Sequence, residues 1–142
     1  MNTPAAQSVP PPVPAIDPGS APYWEALCQH RLILKRCNAC GRAHFYPREL
    51  CPYCYADNLA WIEASGLGVI YSFTVCHRPA GPAFTADVPY VVALVELAEG
   101  PRMMTRIAGD PAAVAIGRAA RVRFVQQTET LVLPFFELME LG

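Results

Sequence analysis

The sequence is poor in charged residues. Only 16% of its 142 residues are Asp, Glu, Lys or Arg, whereas an average soluble domain carries about 25%. Eleven Lys and Arg against twelve Asp and Glu leave a formal charge of -1, which disfavours a strongly basic nucleic-acid binder. A chain this short has a large surface relative to its core and normally covers that surface with charge. The shortage therefore predicts an apolar surface that meets a partner protein.

Long apolar runs and a leader pattern are also lacking. Although 53% of the residues are hydrophobic, the longest apolar run is Val88 to Val95, far shorter than the roughly 18 residues of a membrane span. The first 22 residues have neither a basic region nor a continuous apolar stretch, so they do not fit a secretory signal. We therefore expect a cytoplasmic protein that has no membrane partner.

Familiar catalytic motifs are missing as well. The sequence contains no glycine-rich phosphate loop, no G-x-S-x-G and no H-E-x-x-H. His30, His44 and His77 show no metal-binding spacing, and we interpret the first two as surface or packing residues. His77 opens a long loop, where ligand contacts concentrate, so a functional and a purely structural role stay open for it. We expect the chain not to be catalytic alone.

Proline, in contrast, is abundant at the amino terminus. Seven of the fifteen prolines fall in the first 22 residues, where they fix φ and remove amide donors. This predicts a disordered or polyproline-like arm over residues 1–21. A plain tail is the preferred interpretation, and a docking peptide for a proline-reading domain is the alternative.

Cysteine carries the strongest signal in the chain. Cys37, Cys40, Cys51 and Cys54 form a C-x2-C-x10-C-x2-C pattern. Two such knuckles can aim four thiolates at one ion, and a site with four protein ligands is structural because it has no open position. Zinc is favoured over a rubredoxin-like iron, although tetrahedral thiolates suit both metals. Disulfides are disfavoured without a secretory signal, and we expect Cys28 and Cys76 to be packing residues.

The pattern of strands predicts the fold class. A short helix and the cysteine ribbon are expected over residues 22–58, and an OB-fold domain over 59–142. Leu59 to Glu63 would be a bridging strand, and a short helix is expected from Asp110-Pro111 to Gly117. Three strands, a short helix and two strands are the order of a five-stranded Greek-key OB barrel. The protein is thus predicted to be mainly β, with an amino-terminal helix plus a rubredoxin-like zinc ribbon followed by a five-stranded OB-fold barrel. The strands expected in the barrel are Val69–Val75, Tyr90–Leu97, Arg102–Ala108, Arg121–Gln126 and Leu131–Leu138.

Several separated motifs, in order, resemble the zinc-ribbon OB-fold proteins catalogued as a domain of unknown function, type 35. The resemblance covers Tyr23 to about Leu138 and departs from the pattern at Tyr55, where a small residue is usual after the last cysteine. It implies an accessory subunit in a hetero-oligomer. Such a subunit docks a thiolase-like catalytic partner (a thiolase or aldolase) and helps to hold the acyl-CoA substrate while carbon–carbon bonds are cleaved or formed. The motifs are Tyr23–Leu27, Arg36–Gly41, Phe45–Arg48, Cys51–Cys54, Gly66–Thr74 and Val88–Tyr90.

Coenzyme A carries phosphates and an adenine, which suit basic side chains and an aromatic platform. The residues predicted to contact the acyl-CoA or the partner are Arg48, His77, Arg78, Phe84 and Arg102. For each arginine a solvated surface position is the alternative, and Phe84 could simply anchor its loop. The apolar segment Leu131 to Met139 fits partner docking and barrel core equally well.

A rival function is single-stranded nucleic-acid binding, because OB barrels and zinc ribbons both occur in such proteins. Residues 59–142 carry six basic against eight acidic side chains, and residues 20–58 carry five against three. Binders of this class need a basic groove with stacking aromatics, so we place this function second. An electron carrier would follow if the metal were iron.

Overall fold

The computed structural model describes residues 9–140. No helix in that part of the chain is long and apolar enough to cross a membrane. Helix α1 spans Ala21–Cys28, and 3-10 helices span Pro82–Asp87 and Pro111–Ala113. The strands are β1 Ile33–Cys37, β2 Ala43–His44, β3 Leu59–Glu63, β4 Leu67–Cys76, β5 Tyr90–Leu97, β6 Arg102–Ala108, β7 Ala119–Gln126 and β8 Val132–Leu138.

Three antiparallel strands form the ribbon sheet in the order β2-β1-β3. Lys35 at the centre of β1 lies between His44 of β2 and Trp61 of β3. The predicted bridging strand pairs with β1 along its whole length, from Ile33 opposite Glu63 to Cys37 opposite Leu59. It therefore braces the strand that leads into the first cysteine pair.

The remaining five strands close into a barrel in the order β4-β5-β6-β8-β7. All neighbours are antiparallel except β6 and β8, which run parallel. This arrangement confirms the predicted five-stranded OB-fold. Gly68 is required where β4 approaches β5, because a Cβ there would lie 2.6 Å from Val95 Cγ1 and 2.7 Å from the Glu96 carbonyl oxygen.

One hydrophobic core joins the ribbon to the barrel. Leu27 of α1 and Leu34 of β1 belong to the same buried cluster as Ile70, Val95 and Phe136 of the barrel. Burial of such side chains contributes roughly 1.5–3 kcal/mol each. The cluster contains residues 131–138 only in part: Val132 and Phe136 are buried, while the residues between them are half-buried. Leu131 is also buried, so the segment contributes to the interior at three positions and is half-buried at the others.

One local prediction needs correction. The helix expected after Asp110 is a three-residue 3-10 turn, capped by the Asp110 carboxylate accepting from the Ala112 N–H at 2.9 Å. Ser20 precedes α1 without a side-chain cap bond, and its N–H instead donates to the Asp17 carboxylate at 2.7 Å. Residues 1–8 of the predicted arm lie outside the described residues. Residues 9–17 form neither helix nor strand.

Candidate metal centre

Four thiols from two turns meet at the end of the ribbon. Cys37 and Cys54 sulfurs lie 3.6 Å apart, and Cys40 and Cys51 sulfurs 3.7 Å apart. All four sulfurs lie within 4.8 Å of one another. Cys37 and Cys51 are fully buried, whereas Cys40 and Cys54 lie on the solvent side. The first cysteine of each pair thus anchors its turn in the ribbon.

The two turns have nearly the same backbone. The Gly41 N–H donates to the Cys37 carbonyl at 2.8 Å, and the Tyr55 N–H donates to the Cys51 carbonyl at 2.9 Å. Both residues adopt positive φ, +80° at Gly41 and +64° at Tyr55. The second knuckle therefore keeps the geometry of the first although a tyrosine occupies the position that usually favours glycine.

Backbone amides also point at the sulfurs and shift their acidity. The Cys40 N–H lies 3.5 Å from Cys37 Sγ and lowers the pKa of the Cys37 thiol. Burial raises the pKa of the Cys51 thiol, but the N–H groups of Cys54 and Tyr53 outweigh it, and the pKa falls to about 7. Thiolates bind metals and thiols do not, so these amides favour the ligating form at the two buried positions.

The arrangement fits a single tetrahedral ion. Zinc–thiolate bonds of about 2.3 Å place tetrahedral sulfurs about 3.8 Å apart, close to the 3.6 and 3.7 Å found between facing pairs. Disulfide sulfurs lie about 2.05 Å apart, so the spacing is that of a metal site. Such an ion would cross-link the two turns and, with four protein ligands, would leave no position for a substrate.

The other cysteines and histidines lie elsewhere. Cys28 is exposed at the end of α1, with its thiol 3.4 Å from the Thr130 carbonyl, so the expectation of core packing is wrong for it. Cys76 is half-buried at the end of β4. His30 stacks on Phe124 at 5.1 Å between ring centroids. His44 is 2% exposed in β2, which makes it a packing residue.

The predicted contact residues are spread over the surface. Arg48, His77 and Arg78 are exposed, and the Arg48 carbonyl accepts a hydrogen bond from Lys35 Nζ at 3.0 Å. Phe84 is half-buried in the 3-10 helix, 6.4 Å from the Tyr90 ring at the start of β5.

Arg102 lies near the other end of β5, where it pairs with Glu96 at 3.1 Å and stacks 3.6 Å from the Tyr71 ring. Tyr90 and Glu96 are six residues apart, which is about 20 Å along a strand. Arg102 and Phe84 therefore do not form one compact site.

Arg106 was missed by the sequence analysis. Its guanidinium pairs with Asp87 at 3.2 Å and lies over the rings of Tyr90 and Phe135, at 4.4 and 5.2 Å. The alternation of buried and exposed residues along β6 could have indicated it, because Arg102, Met104 and Arg106 share the outward face of that strand. Arg106 also borders two cavities, one on each side of it.

The first of these cavities lies between ribbon and barrel and has a volume of about 370 Å³. On the ribbon side it is walled by an aromatic cluster of Tyr23, Trp24, Phe45 and Tyr46, with ring centroids of neighbouring members 5.1–5.8 Å apart. The barrel side is formed by Val92, Met103, Met104, Thr105, Arg106, Leu133, Pro134 and Phe135.

The same apolar character continues over the outside of the barrel. Val69 faces Glu96 across β4 and β5, and Leu94 faces Met104 across β5 and β6. The charges of Arg102 and Glu96 on this surface cancel, because the two side chains form an ion pair. We call this surface the outer apolar face; its residues are Leu67, Val69, Tyr71, Val92, Leu94 and Met104. Met104 is 68% exposed, so a large apolar side chain stands in solvent on the β6 side of this face.

Fold and site together define a zinc-ribbon OB-fold protein. Two family models match the chain in succession: the rubredoxin-like zinc ribbon domain of ChsH2 over residues 24–60 and the C-terminal OB-fold domain of ChsH2 over residues 61–125. A DUF35 domain-containing scaffold protein of Methanocaldococcus jannaschii is 38% identical over 95 residues, covering 66% of this chain and 67% of the relative. The chain belongs to the DUF35 family and carries the ChsH2 type of ribbon and barrel.

Two further similarities extend along most of the chain. A probable enoyl-CoA hydratase alpha subunit of Thermomonospora curvata is 40% identical over 126 residues, which is 88% of this chain and 39% of that relative. The chain thus spans well under half of the hydratase subunit. Among solved structures, the Ltp2-ChsH2(DUF35) aldolase matches with a TM-score of 0.78 and 39% identity, covering 89% of this chain and 98% of the matched chain.

Proposed function

We propose that this chain is a non-catalytic accessory subunit that docks a thiolase-superfamily partner, a thiolase or an aldolase. In this role it helps to bind the partner's acyl-CoA substrate while a carbon–carbon bond is cleaved or formed. The observation that carries the proposal is the match to a chain of the Ltp2-ChsH2(DUF35) aldolase, at 39% identity and with 98% of that chain covered. The hydratase alpha subunit is a second relative named for coenzyme A thioester chemistry.

The metal centre contributes the scaffold in this proposal. Cys37, Cys40, Cys51 and Cys54 would hold one structural zinc ion, which supplies cross-linking of the two knuckles and no reaction step. A ribbon of about 35 residues buries too little apolar area to fold alone. Zinc in finger peptides contributes on the order of 10–16 kcal/mol, enough to make such a segment rigid.

The outer apolar face is where we place the catalytic partner. Apolar patches of this kind on soluble proteins mark interaction sites. Arg102 and Arg106, which flank Met104 on β6, each pair with a carboxylate, Glu96 and Asp87. An apolar surface whose charges are already paired suits an apolar partner protein better than it suits a polyanion such as a nucleic acid. The face also runs into the aromatic cluster through Val92 and Met104, which line the cavity between ribbon and barrel.

The predicted contact residues divide among three roles in this proposal. Arg102, stacked on Tyr71 at the edge of the outer apolar face, would contact the partner, as would the exposed Arg48. His77, Arg78 and Phe84 lie in or next to the long loop between β4 and β5. We assign His77 and Arg78 to the acyl-CoA, with the cationic arginine placed for a phosphate, and Phe84 to anchoring the loop.

The test is co-expression of the chain with the thiolase-superfamily protein encoded by a neighbouring gene. We expect the two to co-purify, and the partner to process its acyl-CoA substrate faster in the complex than alone. Met104→Glu would bury an unpaired carboxylate in the interface and should weaken the complex by about ten-fold or more. The chain alone should show little activity.

Val13→Glu is the matched control. Val13 is 62% exposed, similar to Met104, but it lies in the arm outside the sheet, so this variant should bind the partner normally. If the wild-type proteins do not co-purify and the partner works equally well without this chain, the proposed function is wrong. If both variants bind normally, the partner docks on a different surface.

A further inference from the structure

The proline-rich residues 9–16 lie against the barrel with a regular pattern of contact. Pro11 and Pro14 are half-buried, whereas Pro10, Pro12 and Val13 are exposed. A spacing of three matches the polyproline II helix, which has three residues per turn and places every third side chain on one edge. Pro11 and Pro14 therefore lie on the shielded side of the segment, as they would on one edge of such a helix.

Pro11 meets a groove at the end of the barrel. It lines a cavity of about 590 Å³ together with Phe84 of the 3-10 helix and Phe135 of β8. Val125 and Leu133 extend the apolar lining between them. Aromatic-lined grooves of this kind are how proteins recognise polyproline II segments, because proline rings pack on aromatic faces.

The groove is held open by a fixed loop. Arg106 forms an ion pair with Asp87 of the loop, and its guanidinium lies over the rings of Tyr90 and Phe135. At the other end of the loop, the Ala80 N–H donates to the Tyr90 hydroxyl at 3.0 Å. A preformed groove and a proline-rich ligand both lose little freedom on binding, which favours association.

We propose that this groove is a polyproline-binding site and that the chain's own residues 9–16 are its resident ligand. The Pro11-Pro12-Val13-Pro14 stretch supplies a P-x-x-P spacing, with its two end prolines at the half-buried positions. Because ligand and site share one chain, the local ligand concentration is on the order of millimolar, and the site excludes weaker external peptides. The proposal depends on neither the catalytic partner nor acyl-CoA.

The experiment compares two double variants of the full chain, labelled for NMR. Pro11→Glu with Pro14→Glu alters the half-buried edge, and Pro10→Glu with Pro12→Glu makes the same chemical change on the exposed edge. In the wild type and the exposed-edge variant, the amides of Val13, Ala15 and Ile16 should show heteronuclear NOE values near those of the barrel. In the half-buried-edge variant these values should fall to those of a free chain.

A synthetic peptide with the sequence of residues 9–16 then probes the vacated groove. At about millimolar concentration it should shift the Phe84, Phe135 and Arg106 resonances of the half-buried-edge variant. It should bind the wild type at least about ten-fold more weakly, and adding Phe84→Ala should abolish the response. Free-chain NOE values for Val13, Ala15 and Ile16 in the wild type would overturn the proposal. A peptide that binds neither protein, or binds both equally, would also overturn it.

Discussion

Tyr55 is an unusual residue for its backbone position. It adopts a φ of +64° and its side chain is 77% exposed. Left-handed conformation costs an L-residue roughly 1–2 kcal/mol, and nothing is regained here by burying the ring. The site tolerates this cost because the Tyr55 N–H completes the knuckle by donating to the Cys51 carbonyl.

Tyr55→Gly should relieve that strain. Glycine costs about 0.5–1 kcal/mol through the greater entropy of the unfolded chain. The free energy of unfolding, measured in urea, should therefore stay the same or rise by up to about 1.5 kcal/mol. Tyr53→Gly is the control, since Tyr53 has no positive φ and packs under the Arg42 guanidinium at 4.8 Å. The free energy of unfolding of that variant should fall by about 1 kcal/mol. Equal losses in both would show that Tyr55 is not strained.

His44 is the other residue whose position has a measurable consequence. Neither ring nitrogen has a hydrogen-bond partner within the described part of the chain. Burial, then the positive charges of Lys35 and Arg48, lower the pKa of His44 below its usual value. Between the folded-state pKa and about 6.5, a proton binds the unfolded chain in preference to the folded one. This contribution to stability is therefore complete above about pH 6.5 and is lost as the pH falls towards the folded-state pKa.

His44→Phe should remove that pH dependence. The phenyl ring has nearly the same shape and no unpaired nitrogens, so the variant should be at least as stable as the wild type at about pH 5.5. Urea unfolding at about pH 5.5 and about pH 7.5 would check this, with a smaller stability difference expected in the variant. Both proteins keep the metal site. Its acid sensitivity therefore contributes equally to the pH dependence of stability in each, and it cancels when the two proteins are compared. An unchanged difference would contradict the assigned role of His44.

At the scale of elements, the sequence predicts those with a strong local pattern. The cysteine spacing predicted the ribbon, and alternating residues predicted β4 to β8 within a few positions. The two-residue strand β2 was missed because it is too short to show a period of two. The helix expected after Asp110 ends early, because the backbone of Val114 is already extended. The capping residues at its two ends therefore did not determine its length.

Contacts between elements were harder to predict than the elements. The stacking of Arg106 involves the rings of Tyr90 in β5 and Phe135 in β8, which are far apart in sequence. Residue type alone could not separate Arg106 from Arg102, which lies on the same face of β6. Similarly, Pro11 lines one cavity with Phe84 and Phe135, which are far from it in sequence. Composition predicted a disordered or polyproline-like arm but could not indicate which part of the barrel lies beside it.

For the whole molecule, the decisive feature is that ribbon and barrel share one core. Tyr23, Leu27 and Leu34 pack into the same cluster as the barrel strands. Unfolding of the ribbon therefore exposes apolar surface of the barrel as well. A domain is stable by only about 5–15 kcal/mol, and structural zinc in finger peptides contributes on the order of 10–16 kcal/mol, so the metal should control the stability of the entire chain.

Cys37→Ser and Cys51→Ser should each abolish metal binding, soluble folding and assembly with the partner, because each removes a buried ligand. Elemental analysis should find about one zinc per wild-type chain and none in these variants. Cys28→Ser is the control: its thiol is exposed and outside the cluster, so zinc content and solubility should be unchanged. Strong chelators should also lower the melting temperature of the wild type, which tests the coupling without a substitution. A Cys37→Ser protein that loses its zinc yet still folds and assembles would show that the ion is not the scaffold.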